Sequence, residues 1–185
     1  MNHSLRRSRL SYAAAAAAAG LVAVGAGLAP NAEAAGASVH RWAAPLTDLQ
    51  PGGTDPLDSA RGRLLLVSHH GATTAVFSLS GVGPGAAGRT YGAHLHSGPC
   101  VAGNGAAAGP HYNDSRERGA VLPVVGPSTE VWLDVTIGVD GWAVAVAHVP
   151  FVPRAGERSV VVHAEPTDDH GSAGPRLACL PVSWS

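Results

Sequence analysis

Two histidines one residue apart, His94 and His96, are where this chain's chemistry starts. In an extended strand successive side chains point to opposite faces, so the two imidazoles project from one face about 6.6 Å apart. That is close enough for both to reach a single metal ion. A third imidazole, His111, follows a Gly- and Ala-rich loop that can fold back, and a fourth, His163, closes the apolar run Ser159-Val160-Val161-Val162. Four neutral imidazoles without a thiolate or carboxylate suit copper or zinc, whereas calcium and magnesium take oxygen donors. The Irving–Williams order favours copper. A lone H-x-H carries little weight, because any alternating strand can place two histidines this way. Taken singly, His111 after Gly-Pro reads as a loop histidine and His163 as a satisfied core histidine.

The elements that must position these rings read as all-β. Residues 37–43 suggest a first strand, and residues 48–59, rich in Pro, Gly and Asp, a connection. The runs at 63–67 and 74–79 flank Ser68-His69-His70-Gly71-Ala72, which reads as a hairpin. Val131, Leu133, Val135 and Ile137 alternate with Trp132, Asp134 and Thr136, the period of a strand with one buried face. Asp140-Gly141 then predicts a type I′ turn into a strand over 142–149. No segment beyond the N-terminal stretch has a helical period. Many short strands separated by turn signals point to an antiparallel sandwich or barrel.

Four motifs raise the weight of the histidines. In order they are G-A-H-L-H at 92–96, A-G-P-H-Y-N at 108–113, R-S-V-V-V-H-A at 158–164 and A-G-P-R-L-A-C at 173–179. They resemble the G-F-H-V-H, A-G-P-H-F-N, R-S-L-V-V-H and G-x-R-L-A-C of the copper–zinc superoxide dismutases, over roughly residues 60–182. The resemblance implies a Greek-key barrel of immunoglobulin-like sandwich type. It implies dismutation of the superoxide anion to oxygen and hydrogen peroxide by copper on His94, His96, His111 and His163. It also implies that Arg176 lines the anion's channel to copper, and that His111 carries a proton during turnover.

One part of the pattern is missing. The family places two more His and an Asp after the bridging histidine, yet no histidine lies between Tyr112 and Asp134. The acidic residues there, Asp114, Glu117, Glu130 and Asp134, are scattered, and a structural zinc site of His111 plus such carboxylates would be atypical. A zinc site is therefore not expected, and His111 is expected to bind copper alone. The stretch from Ala164 to Pro175 is shorter than the family's electrostatic loop. Within it Asp168-Asp169 resembles the Asp pair that orients ligand histidines there, one residue farther from His163. Two other functions fit the same residues: an exported copper-binding or copper-buffering module without turnover, and an inert sandwich used for surface interaction.

The chain has 185 residues, 12 Arg and no Lys, with a formal net charge of −1. That length suits one domain. Arg6, Arg7 and Arg9, the apolar run Ala13 to Ala29 and Ala32-Glu33-Ala34 read as an export signal over residues 1–34, placing residues 35–185 in the mature domain. An uncleaved membrane anchor is the alternative reading of that run. Arg6-Arg7 leaves both the general and the twin-arginine export routes open. No later stretch is apolar enough to span a membrane, and there is no basic patch for nucleic acid. Export to an oxidising compartment favours pairing of Cys100 with Cys179, against the alternative of two free buried thiols. Relative to the family, Cys100 lies nearer His96 and farther from His111. His69 and His70, adjacent and so expected on opposite faces, read as turn residues; His40, His148 and His170 have no motif around them.

Overall fold

Alternation of apolar and polar side chains gives ten strands in the computed structural model, which describes residues 36–50 and 52–185. The export signal expected over 1–34 lies outside the described residues. In chain order the strands are β1 (Ser38–Pro45), β2 (Thr47–Asp48), β3 (Arg61–His69), β4 (Ala72–Ser80), β5 (Thr90–Tyr91), β6 (Ala93–His96), β7 (Val135–Thr136), β8 (Ala143–Val149), β9 (Gly156–His163) and β10 (Arg176–Trp184). One antiparallel sheet has the order β1-β3-β4-β8 and the other β2-β10-β9-β6; β5 and β7 form a small third ladder. Neighbours distant in sequence, β4 beside β8 and β9 beside β6, are the long returns of a Greek-key sandwich.

The inner faces meet in one apolar core. Leu64 and Leu66 of β3 with Ala75, Phe77 and Leu79 of β4 pack into the same cluster as Leu95 of β6, Val160 and Val162 of β9, and Leu180 and Val182 of β10. Trp42 and Trp184 close one seam between the sheets, their rings 5.3 Å apart, with Trp42 Nε1 donating to the Ser183 carbonyl at 3.2 Å. Among the described residues, no helix is long and apolar enough to cross a membrane.

Local chemistry departs from expectation at four places. The β3–β4 turn is the two-residue type, with φ of 50° at His70 and 79° at Gly71, both positive as type I′ requires. Because His70 leaves the extended region, its ring does not point away from His69: the two centroids are 3.7 Å apart. At Asp140-Gly141 only the glycine has positive φ, 72°. Gly138 N donates to the Trp142 carbonyl at 2.8 Å and Gly141 N to the Gly138 carbonyl at 3.0 Å, so the loop is one residue longer than the type I′ turn expected. Val131, Leu133, Val135 and Ile137 are all buried as their alternation requires, yet only Val135–Thr136 pairs as a strand. Finally, one helical turn, α1 (Asp114–Glu117), forms where no helical period exists, because the Asn113 side chain accepts from Ser115 N and Arg116 N at its start.

Cys100 and Cys179 are joined, with Cα atoms 5.8 Å apart and a sequence separation of 79. The bond ties the loop after β6 to β10. A Cβ at Gly98 would collide with the Ala107 carbonyl, so that loop returns closely over its own start. The double variant Cys100→Ala, Cys179→Ala should lose about 2–5 kcal/mol of stability, read as a lower midpoint in urea denaturation followed by circular dichroism.

Candidate metal centre

The alternation of β6 decides which way its histidines face. Leu95 enters the core, so His94 and His96 project from the outer face of the second sheet, where both are nonetheless fully buried. Val161 of β9, register partner of His94, lies on that face in a small second cluster with Leu49, Ala108 and Cys179. The cover is the loop after β6: Ser97 N donates to the Pro110 carbonyl and Gly98 N to that of Ala108. His96 and His111 form an antiparallel bridge, and Tyr112 N donates to the Leu95 carbonyl, so the returning chain lays a third ring beside the first two. His163 arrives at the end of β9, paired in register with Arg176 at the start of β10.

The ligand-type nitrogens of His94, His96, His111 and His163 all lie within 4.8 Å of one another. The hydrogen bonds show which nitrogen of each ring faces the centre. His96 Nδ1 donates to the Gly109 carbonyl at 3.0 Å, and His163 Nδ1 to that of Gly174 at 3.1 Å. His111 Nδ1 meets Glu130 Oε2 at 2.8 Å. Each therefore presents Nε2 inward, and the Nε2 atoms of His96 and His163 are 3.3 Å apart. His94 is the reverse: its Nε2 meets Thr167 Oγ1 at 2.7 Å, while its Nδ1 is buried without any hydrogen-bond partner. An orphaned buried nitrogen facing the ring nitrogens of three further histidines is a donor set shaped for a metal ion.

Burial keeps three of these rings, His94, His96 and His163, neutral. It is the largest cause that pushes His94 and His96 down to about 2 and His163 to about 4, with the neighbouring rings and the Arg176 charge acting in the same direction. Glu130 is held below the usual carboxylate range. Burial alone would raise it, but hydrogen bonds from His111, Asn113 and Trp132 outweigh that effect.

All four predicted histidines are thus brought together. Arg176 lies at the rim, Nη1 donating to the Gly105 carbonyl at 2.6 Å and Nη2 to that of Gly109 at 2.7 Å, the same oxygen that His96 Nδ1 uses. Asp168 does not orient a histidine. Its Oδ1 accepts from His170 N and Ser172 N at 2.8 Å each and only closes a turn. The residue on His94 is Thr167, backed by Asp134, whose Oδ1 accepts from Thr167 Oγ1 at 2.6 Å. Neither had a motif to reveal it. Glu130, one scattered carboxylate among several in sequence, also accepts from Asn113 Nδ2 and Trp132 Nε1, each at 2.9 Å. The remaining histidines lie apart: His40 stacks on Trp42, and His148 Nδ1 meets Thr74 Oγ1.

Comparison with solved structures agrees with this architecture. The clock protein EA4 superposes with a TM-score of 0.51 at 19% identity, over 77% of this chain and 93% of its own. A double mutant of a SOD-like protein from Bacillus subtilis superposes with a TM-score of 0.52 at 18% identity, over 77% of this chain and 97% of its own. The fold is superoxide dismutase-like. No protein-family model matches the sequence, and no curated protein matches it. At such identities the superoxide dismutase-like likeness establishes the fold, and any activity must be argued from the site.

The histidine cluster carries a pH signature. In the unfolded chain each ring takes up a proton near the ordinary histidine value of 6.5, whereas folded His94, His96 and His163 resist protonation down to about 2, 2 and 4. Unfolding therefore binds protons below 6.5, and stability is lost as pH falls, at about 1.4 kcal/mol per pH unit for each unmatched proton. Metal-free protein should show a urea midpoint that is level above pH 7 and drops steeply between pH 6.5 and 4. A flat profile there would contradict the burial of neutral rings.

Proposed function

We propose that this protein is an exported, copper-dependent superoxide dismutase that uses no zinc, with copper held by His94 Nδ1 and by Nε2 of His96, His111 and His163. The observation that carries the reading is the orphaned, buried His94 Nδ1 clustered with the ring nitrogens of His96, His111 and His163. Imidazole donors favour copper on the Irving–Williams order. The Cys100–Cys179 bond supports an oxidising compartment and hence export.

Glu130 supports the omission of zinc. A second ion would need His111 Nδ1, and that atom is taken by a carboxylate whose other hydrogen bonds come from Asn113 and Trp132. When bound, copper would supply one-electron chemistry, accepting an electron from one superoxide and returning it to the next. The protein supplies the rest. Arg176, fixed by two carbonyls, presents a positive charge that concentrates a small anion at the rim. His111 is the ring placed to hold a proton at Nε2 and pass it on. Its side chain is 18% exposed, and Glu130 holds its Nδ1 at 2.8 Å.

The test combines metal analysis by mass spectrometry with a superoxide competition assay on the exported form. One equivalent of copper, little zinc and suppression of superoxide is the expected result. Copper without suppression would instead support a copper-buffering module, and absence of copper an inert sandwich. His163→Ala should abolish both copper retention and activity with the β-sheet spectrum intact. Arg176→Ala should slow anion capture about 10-fold or more and flatten its dependence on salt.

A further inference from the structure

We infer that Thr167 is a positioning residue: its hydroxyl, oriented by Asp134, sets the tautomer of His94 and so keeps Nδ1 of that ring open as a donor. Asp134 grips Thr167 twice, Oδ2 accepting from the backbone N at 2.8 Å and Oδ1 from Oγ1 at 2.6 Å. A carboxylate can only accept and a hydroxyl has one proton to give, so that proton goes to Asp134. The hydroxyl is left with lone pairs only. Toward His94 Nε2, at 2.7 Å, it must accept, which places the ring proton on Nε2 and removes it from Nδ1.

This arrangement differs in kind from the other three. Carbonyls at Gly109 and Gly174 and the carboxylate of Glu130 are acceptors under all circumstances, so each fixes its histidine unaided. A hydroxyl can donate or accept, and its direction here is decided by Asp134. His94 is also the ring that enters by Nδ1, so the wrong tautomer would aim a proton at the other donors. The fold makes room for the contact. Gly92 precedes the histidine strand, where a Cβ would come within 2.9 Å of both Thr167 Oγ1 and the Glu165 carbonyl, and Gly92 N donates to that carbonyl at 2.7 Å. The bare backbone lets the segment after β9 approach closely enough for a short side chain to reach the ring.

The inference rests on reading the cluster as a metal site, but its primary readout needs neither metal nor turnover. In metal-free, ¹⁵N-labelled protein, long-range proton–nitrogen correlations report which nitrogen of His94 bears hydrogen. Wild type and Thr167→Ser should show Nε2–H. Thr167→Val, close in shape but without the hydroxyl, should populate Nδ1–H. Asp134→Asn should do the same, because its amide can donate to the hydroxyl and free the hydroxyl proton for His94. Copper(II) affinity, by chelator competition, should fall about 10- to 100-fold in Thr167→Val and Asp134→Asn and be retained in Thr167→Ser. Nε2–H in every variant, or unchanged affinity in Thr167→Val, would overturn the assignment. Loss of the proposed dismutase activity as an explanation, with the tautomer pattern intact, would leave it standing.

Discussion

An imidazole has two ring nitrogens, and the whole site depends on how the protein divides their work. One nitrogen of each ring is given to an acceptor outside the cluster, so the other is turned inward, and at His94 the inward Nδ1 has no partner in the protein. Three rings do this through Nδ1 and one through Nε2. Ring nitrogens crowded together on largely buried side chains are unfavourable for a protein alone, since unmet buried polar atoms and mutual repulsion both cost free energy. An arrangement that is poor for the empty chain suits a cation, whose binding to the folded state would return the stability.

The scaffold must therefore be stiff without help from the site. Its stiffness comes from the inner faces of the two sheets, where Leu64, Phe77, Leu95, Val160 and Leu180 share one core, while the histidines use the outer face of β6 and β9. Burial on that outer face is unusual for a sandwich, whose strands alternate inward apolar with outward polar residues. It is achieved by folding the loop after β6 back over the sheet and holding it there with the Cys100–Cys179 bond, the Ser159 Oγ contact to the Gly98 carbonyl at 2.9 Å, and Arg176 on Gly105 and Gly109. Arg176 thus has two tasks. The contacts that fix its charge at the rim also fix the carbonyl that orients His96.

What could be read in sequence was what repeats or alternates. The strand period placed β3, β4 and β8, and H-x-H placed two rings on one face, because those signals are local. The orientation of the rings was not legible, because it depends on partners 11 to 73 residues away in sequence. Asp168 looked like the natural carboxylate to orient a histidine. Thr167 won because it is one residue closer to His163, and because Asp134, facing outward on an alternating stretch, could supply the charge from behind. Likewise Glu130 was one acid among four until the fold set it against Asn113, Trp132 and His111. The single helical turn at Asp114 escaped for a related reason: a cap made by Asn113 carries no period.

The same four rings could serve storage or turnover, and access separates the two. A storage site gains by closing over its ion, which slows release. Here His94, His96 and His163 are at most 4% exposed, but the His111 side chain is 18% exposed, its Nδ1 held by Glu130. The Arg176 guanidinium lies at the rim with its charge retained despite partial burial, since a guanidinium does not deprotonate in proteins. An open side and a fixed positive charge are of no use to an ion that is merely kept. A small anion arriving for an electron would use both, and for that reason the arrangement of these side chains, more than the shared fold, supports the proposed catalysis.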